Sequence, residues 1–214
     1  MKIIALKPYG AFGTNSYIIH DETRAALIDA PGNNEAVLRA LAENDLVLEK
    51  ILLTHGHCDH IEGTAELSEK TGAEIYIHKD DYDKLNSPYL NLTEYFSLPP
   101  IKIIKGVVRT VKDGDIIPVG KSISVKVMHT PGHTRGSVMY IAQDHIFSGD
   151  TIFAGSVGRT DMPDGDGRVL AQSLGRIAAF EGEYPDYYIF AGHGGASKLF
   201  YEKQSNPYMG FAQF

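Results

Sequence analysis

The sequence predicts an α/β fold in which two β-sheets pack face to face with helices outside, built from two similar halves within a single domain, 1–214. Three observations predict it. Apolar, β-branched runs bounded by turn residues recur along the chain, helical spacing of apolar residues appears in both halves, and no Ser-, Pro- or charge-rich linker separates them. With 214 residues, 43% of them hydrophobic, the chain can bury one sizeable core.

KIIALKP, NSYIIH and AALIDAPG read as strands of a meander, with turn signals at Gly10, Gly13, Asn15 and Gly32. NNEAVLRALAEND places Ala36, Val37, Leu38, Leu41 and Ala42 at helical spacing behind an Asn cap, and the continuous apolar run LEKILLTH predicts a strand buried on both faces. DHIEGTAELSEKTGA predicts a helix closed by Gly72, and AEIYIHKD another strand. The segment 82–104 has weak periodicity, aromatics and a Pro pair, and reads as a surface excursion. From Arg109 the theme repeats: TVKDGDIIPVG, SISVKVMHTP, GSVMYIAQD and HIFSGDTIF are strands, RVLAQSLGRIAAFEG a helix, YYIFAGHG a strand and SKLFYEKQ a last helix.

The formal net charge of −7 argues against a nonspecific hold on nucleic acid, which needs clustered Lys and Arg. No apolar run is long enough to span a bilayer, and MKIIALKPYG lacks a signal-peptide core and cleavage site. Cys58 is the one cysteine, which excludes an intrachain disulfide and a Cys-rich zinc site. A soluble cytoplasmic protein acting on a small molecule is expected; the oligomeric state is not encoded in any visible pattern.

The stretch ILLTHGHCDH gathers His55, His57, Asp59 and His60. Residues two apart on an extended segment share a face, so His55 and His57 point the same way, while Asp59 and His60 fall where the chain turns toward a helix. One short segment can thus serve two metals. His133 in HTPGHTRGS, Asp150 in IFSGDTIF and His193 in YIFAGHGG each follow an apolar run, where loops at strand ends are brought together by a scaffold. Each alone reads more simply as a solvated or capped residue. The His-x-His-x-Asp-His run does not, because crowded imidazoles and a carboxylate have no stabilising role without a metal. Imidazole and carboxylate suit Zn first, with Fe and Mn compatible, rather than Ca or Mg.

THGHCDH, TPGHTRGS, SGDTIF and AGHG, in this order, resemble the metallo-β-lactamase superfamily and, within it, the glyoxalase II-like (hydroxyacylglutathione hydrolase-like) hydrolases. The resemblance covers nearly the whole chain and implies a four-layer αββα sandwich. It implies one metal on His55, His57 and His133, a second on Asp59, His60 and His193, and Asp150 bridging them. Asp59 and Asp150 become the candidate catalytic carboxylates. The implied chemistry is a metal-bound hydroxide that attacks a thioester carbonyl, with bound water acidified to a pKa of ~7. Asp29 matches an acidic position just upstream: it either orients a ligand imidazole or forms a turn before Pro-Gly.

Cys58 lies between ligand positions, but a reactive thiol needs an electropositive partner that the pattern does not supply. His20, His78, His129 and His145 match no ligand position and read as surface or supporting groups.

Enzymes that act on glutathione thioesters carry Lys and Tyr after the bridging Asp, in a run like Gly-Lys-Phe-Tyr-Glu-Gly, and a further basic C-terminal segment. Here the run is AGSVGRTDMPDGD, as in a shorter bacterial subgroup with a Gly-Arg-Thr-Asp pattern. Arg159 is the candidate for gripping a substrate carboxylate with its planar fork; the alternative is a salt bridge to Asp161, Asp164 or Asp166. A thioester of the S-2-hydroxyacylglutathione type is the expected substrate. The rivals are a mononuclear iron persulfide dioxygenase using His55, His133 and Asp150, and a lactonase or other ester hydrolase of the same fold. A nuclease would add a large extra domain or a basic face, a noncatalytic metal module would lose a ligand or fill every coordination position, and a secreted β-lactamase would need an export signal.

Overall fold

The computed structural model describes residues 1–101 and 104–210. In chain order the first half contains β1 (Lys2–Ala5), β2 (Tyr17–His20), β3 (Arg24–Ile28), α1 (Asn34–Glu43), β4 (Val47–Leu52), α2 (Cys58–Ile61), α3 (Thr64–Thr71), β5 (Glu74–His78), a 3₁₀ segment (Lys79–Asn86) and β6 (Val108–Val111). The second half contains β7 (Ile116–Val119), β8 (Ile123–His129), β9 (Val138–Ala142), β10 (His145–Gly149), β11 (Ile152–Phe153), β12 (Ser156–Val157), α4 (Gly167–Ala178), β13 (Tyr188–Ala191), β14 (Ser197–Lys198) and α5 (Leu199–Ser205).

The strands form two six-stranded sheets, ordered β1-β2-β3-β4-β5-β6 and β14-β13-β10-β9-β8-β7, with β11-β12 a separate hairpin. Alternation along the strands produces four layers. Ile18, Ala25 and Leu27 face α1 and α3 with Val37, Leu41 and Leu67. Their neighbours Tyr17, Ile19, Ala26 and Ile28 face the other sheet, meeting Val125, Val127, Val138, Tyr140 and Phe147. Met139, Ile141 and Ile146 then face away toward Leu170, Leu174 and Ile177 of α4 and Leu199 of α5. A strand sandwiched between a sheet and a helix must be apolar on both faces, which explains the continuous apolar runs. This is the αββα architecture that the sequence predicts. No helix among the described residues is long and apolar enough to cross a membrane.

Several local expectations are corrected. TVKDGDIIPVG is two strands in different sheets, because the turn closed by Asp115 N–H to Lys112 O, with Gly114 at φ +82°, breaks the run. The halves therefore divide after Val111, not at Arg109. DHIEGTAELSEKTGA is broken at Gly63, whose N–H donates to Ala30 O instead of continuing a helix. Gly72 does close α3, in the left-handed conformation at φ +74°. Asn33 makes no side-chain cap to α1; Asn34 Nδ2 donates instead to Glu66 Oε2, tying α1 to α3. HIFSGDTIF divides into β10 and β11, and SKLFYEKQ begins as β14 before α5.

The segment 82–104 is only partly a surface excursion. Tyr89 and Tyr95 are exposed, but Lys84, Leu85, Asn91, Leu92 and Thr93 are buried, and Asn91 O accepts from Cys58 N–H. Residues 102–103 of that segment, and 211–214 of the predicted domain, lie outside the described residues.

β8 and β10 both run antiparallel to β9, and β13 runs parallel to β10, so the C-terminal ends of β8, β10 and β13 share one sheet edge. Val138 N–H donating to Thr54 O, and Tyr140 Oη donating to Leu53 O, bring the end of β4 from the other sheet against that edge. Four strand ends therefore meet at one place.

Candidate metal centre

All seven side chains singled out in the sequence meet at this edge. His55 and His57 follow β4, Asp59 and His60 lie on α2, and His133, Asp150 and His193 follow β8, β10 and β13. Two triads result, His55/His57/His133 and Asp59/His60/His193, in each of which the ligand atoms lie within 4.8 Å of one another. Asp150 faces both: Oδ2 is 3.5 Å from His133 Nε2 and 3.3 Å from His193 Nε2, and Oδ1 is 3.3 Å from His60 Nε2. His60, Asp150 and His55 form a third overlapping group.

The hydrogen bonds behind the rings fix which nitrogen each presents. His60 Nδ1–H donates to Asp29 Oδ2 at 2.8 Å, His133 Nδ1–H to Arg159 O at 2.7 Å and His193 Nδ1–H to Phe12 O at 3.1 Å. Thr54 Oγ1 donates to Asp29 Oδ2, so its oxygen accepts from His55 Nδ1–H at 3.1 Å. Each of these four rings thus turns Nε2 inward, and His55 Nε2 is buried without a partner. His57 is reversed: its Nδ1 lies 3.0 Å from His133 Nε2. Thr14 Oγ1 donates to Asp59 Oδ2 at 2.7 Å. Donor atoms crowded this closely, on rings of which four are held from behind by a hydrogen bond, are a set that can hold metal ions.

The two readings of Asp29 are compatible in its geometry. It sits at a turn, with φ +56°, and its carboxylate orients His60 directly and His55 through Thr54. The structure adds supporting roles that the sequence reading assigned to no residue. Thr14, Thr54 and the carbonyls of Phe12 and Arg159 support the ligands; the backbone groups leave no side-chain signature.

The electrostatics separate the two triads. Burial, then the charge of neighbouring imidazoles, holds His55 and His57 well below the ordinary histidine value, so both are neutral and ready to donate a lone pair. Burial would also lower His60, but Asp59, Asp150 and Asp29 outweigh it and hold the ring well above its ordinary value. His193 is likewise carried to about 10 against burial by its hydrogen bonds to Asp150 and Asp59. Burial opposes ionisation of Asp59, yet His60 and His193 bring its carboxyl down to about 2. The carboxylates therefore keep protons on the second triad when no other cation is near. A metal ion held there would displace those protons.

The mouth is a cavity of about 180 Å³ with His57, Asp59, His133, Asp150 and His193 at its base. Phe12, Leu92, Phe96 and Met162 form its apolar wall, and Arg159 lies at the rim. Leu92 and Phe96 come from the 82–104 segment, which gives that segment its place in the site. Arg159 Nε and Nη2 donate to Asp161 Oδ1 and Oδ2 at 2.6 and 2.8 Å, the salt-bridge alternative, although the guanidinium stays exposed. Cys58 packs against Leu92 and Met162, and burial pushes its thiol up to about 11, so it is protonated at neutral pH and no nucleophile. His20 and His78 are buried rather than surface groups; His78 stacks on His129 at 3.9 Å, and with Asp80 they make a further cluster of donor atoms.

A family profile described as "Metallo-beta-lactamase superfamily" matches residues 9–193. Hydroxyacylglutathione hydrolase GloC of Haemophilus influenzae is 34% identical over 209 residues, covering 96% of this chain and 97% of the relative. The crystal structure of the BLEG-1 B3 metallo-beta-lactamase superposes with a TM-score of 0.88 at 30% identity, covering 97% of this chain and 99% of the other. TTHA1623, solved in a di-iron-bound form, superposes with a TM-score of 0.83 at 31% identity, covering 96% and 99%.

Proposed function

The chain belongs to the metallo-beta-lactamase superfamily, and on that premise we propose that it is a binuclear metallohydrolase of thioesters, of the S-2-hydroxyacylglutathione type. The observation that carries the reading is Asp150, whose carboxylate oxygens stand within 3.3–3.5 Å of His60, His133 and His193. One carboxylate facing two triads fits a pair of cations, which needs a shared anion to offset their repulsion. A single iron on His55, His133 and Asp150, as in a dioxygenase, would leave the convergence of Asp59, His60 and His193 without a purpose.

Bound divalent ions, Zn first and Fe next in view of the di-iron form of TTHA1623, would supply an acidified water and polarise a carbonyl. The residues do the rest. Asp29, Thr14 and the carbonyls of Phe12 and Arg159 hold the ligands in orientation, and the apolar wall of Phe12, Leu92, Phe96 and Met162 keeps bulk water from the acyl group. Among the described residues no Ser, Thr, Cys or Lys lines the mouth, so the nucleophile is water rather than a side chain.

A thioester suits this site because the leaving group is a thiolate, whose conjugate acid has a pKa of ~8.5 and needs no strong general acid. Water adds to the carbonyl carbon, the C–S bond breaks, and the products are a carboxylate and a thiol. The 34% identity to GloC supports glutathione as the thiol, and Arg159 at the rim is the cation available for its carboxylate.

The test is a hydrolysis screen of the metal-loaded protein. S-2-hydroxyacylglutathione, a thioester without glutathione, a lactone and a β-lactam should give the first the highest kcat/KM. Faster turnover of the lactone or β-lactam would overturn the substrate assignment, and no hydrolysis combined with oxygen uptake on a persulfide would overturn the reaction class.

A further inference from the structure

We propose that Asp81 is a positioning residue that sets the distance between the two loops carrying His55, His57 and His133, and so governs metal affinity at that triad alone. The proposal rests on the metal-centre reading above. Asp81 lies on the 3₁₀ segment Lys79–Asn86, outside every motif, and its side chain is fully buried.

Its two oxygens clasp both loops. Oδ2 accepts from Gly56 N–H, between His55 and His57, at 2.8 Å and from Thr134 Oγ1, next to His133, also at 2.8 Å. Oδ1 accepts from Gly136 N–H at 2.8 Å. Three hydrogen bonds from one carboxylate thus join the end of β4 in one sheet to the β8–β9 loop of the other. The approach is close enough that a Cβ on Gly136 would lie 2.6 Å from that of Asp81. None of these three bonds reaches Asp59, His60 or His193, so its leverage falls on the three-histidine half.

An ionised carboxylate is the group this position requires, since all three partners donate. An amide offers one acceptor oxygen, and whichever way it turns its NH₂ faces the N–H of Gly56 or of Gly136. Asp81→Asn is therefore nearly isosteric yet unable to close the clasp. Thr134→Val removes one of the three bonds. Leu85→Ala, on the same 3₁₀ segment and buried in the helix-facing core, loosens the fold without removing a hydrogen bond to either loop.

The experiment measures Zn²⁺ affinity by chelator competition on the full chain, with anomalous scattering to read occupancy at each position. Asp81→Asn should weaken the ion on His55, His57 and His133 by about 10–100-fold, and Thr134→Val by less, while the Asp59/His60/His193 ion moves by no more than about threefold. Leu85→Ala should lower the Tm and leave both affinities within about threefold of wild type. The proposal is overturned if Asp81→Asn leaves the three-histidine affinity unchanged, if both positions weaken equally, or if Leu85→Ala weakens it as much. Should Asp81→Asn not fold, Thr134→Val decides by the same criteria. A wild-type chain holding no ion on the three histidines overturns both this proposal and the metal-centre reading; a wild-type chain holding both, matched by Asp81→Asn, overturns the proposal alone.

Discussion

Asp29 Oδ2 accepts from His60 Nδ1 at 2.8 Å, across 31 residues of sequence, and turns the other nitrogen of that ring toward Asp150. The same oxygen accepts from Thr54 Oγ1, which in turn holds His55. One carboxylate therefore fixes an imidazole in each half of the centre.

Asp29→Asn should weaken metal binding by roughly 10–100-fold. Asn tolerates the φ of +56°, so the backbone is preserved, but its NH₂ must face either Thr54 N–H or the donors on Oδ2. Chelator competition should show the larger loss at the ion on Asp59, His60 and His193. Unchanged affinity at both positions would reduce Asp29 to a turn residue.

Asp150→Ala should abolish activity more thoroughly than His193→Ala. Removing the shared carboxylate leaves two cations facing each other and should release at least one, whereas water can replace one terminal imidazole. Metal content per chain and kcat, measured together on both variants, check this. Equal metal content and equal residual rates would contradict the bridging assignment.

Arg159→Lys should raise KM for a carboxylate-bearing thioester about tenfold and leave kcat nearly unchanged, since an ammonium cannot reproduce a bidentate fork. The wild-type fork rests on Asp161 and is exposed at the rim, free to exchange partners. A thioester lacking the carboxylate should show no KM change. If both substrates respond alike, Arg159 serves the loop and not the ligand.

His78 should make the fold acid-sensitive. Burial, followed by the charge of the stacked His129, lowers it from 6.5 to about 4. The unfolded chain therefore binds the extra proton between those values, and stability from the neutral ring is complete above about pH 6.5 and lost as pH falls toward 4. The contribution is at most ~3 kcal/mol. Urea unfolding of wild type and His78→Gln in the same metal state should show the wild type's advantage over the variant shrinking across that window. A constant difference would mean that His78 titrates normally.

The candidate ligands are legible in the sequence for a physical reason. THGHCDH is contiguous, and His133, Asp150 and His193 each stand where an apolar strand ends, so strand periodicity alone puts them at sheet edges. The four layers are legible too, because strands apolar on both faces need two partners. Thr14 and Asp81 are not, since a hydroxyl 45 residues from the Asp59 it supports, or a carboxylate 25 residues from Gly56, has no local pattern. The Asp113-Gly114 pair is the turn signal that divides β6 from β7, and a run of apolar residues on both sides conceals it. The burial of Lys84 and Asn91 in a segment of weak periodicity reflects tertiary contacts around Cys58 and Asp164 that no propensity scale contains.

The geometry around Asp150 predicts a centre of two ions that share its carboxylate. Metal quantification combined with anomalous scattering on the protein at saturating Zn²⁺ decides this. Two ions per chain are expected, one on His55, His57 and His133, the other on Asp59, His60 and His193, with Asp150 ligating both. One ion per chain, with His60 and His193 unligated, would contradict the account.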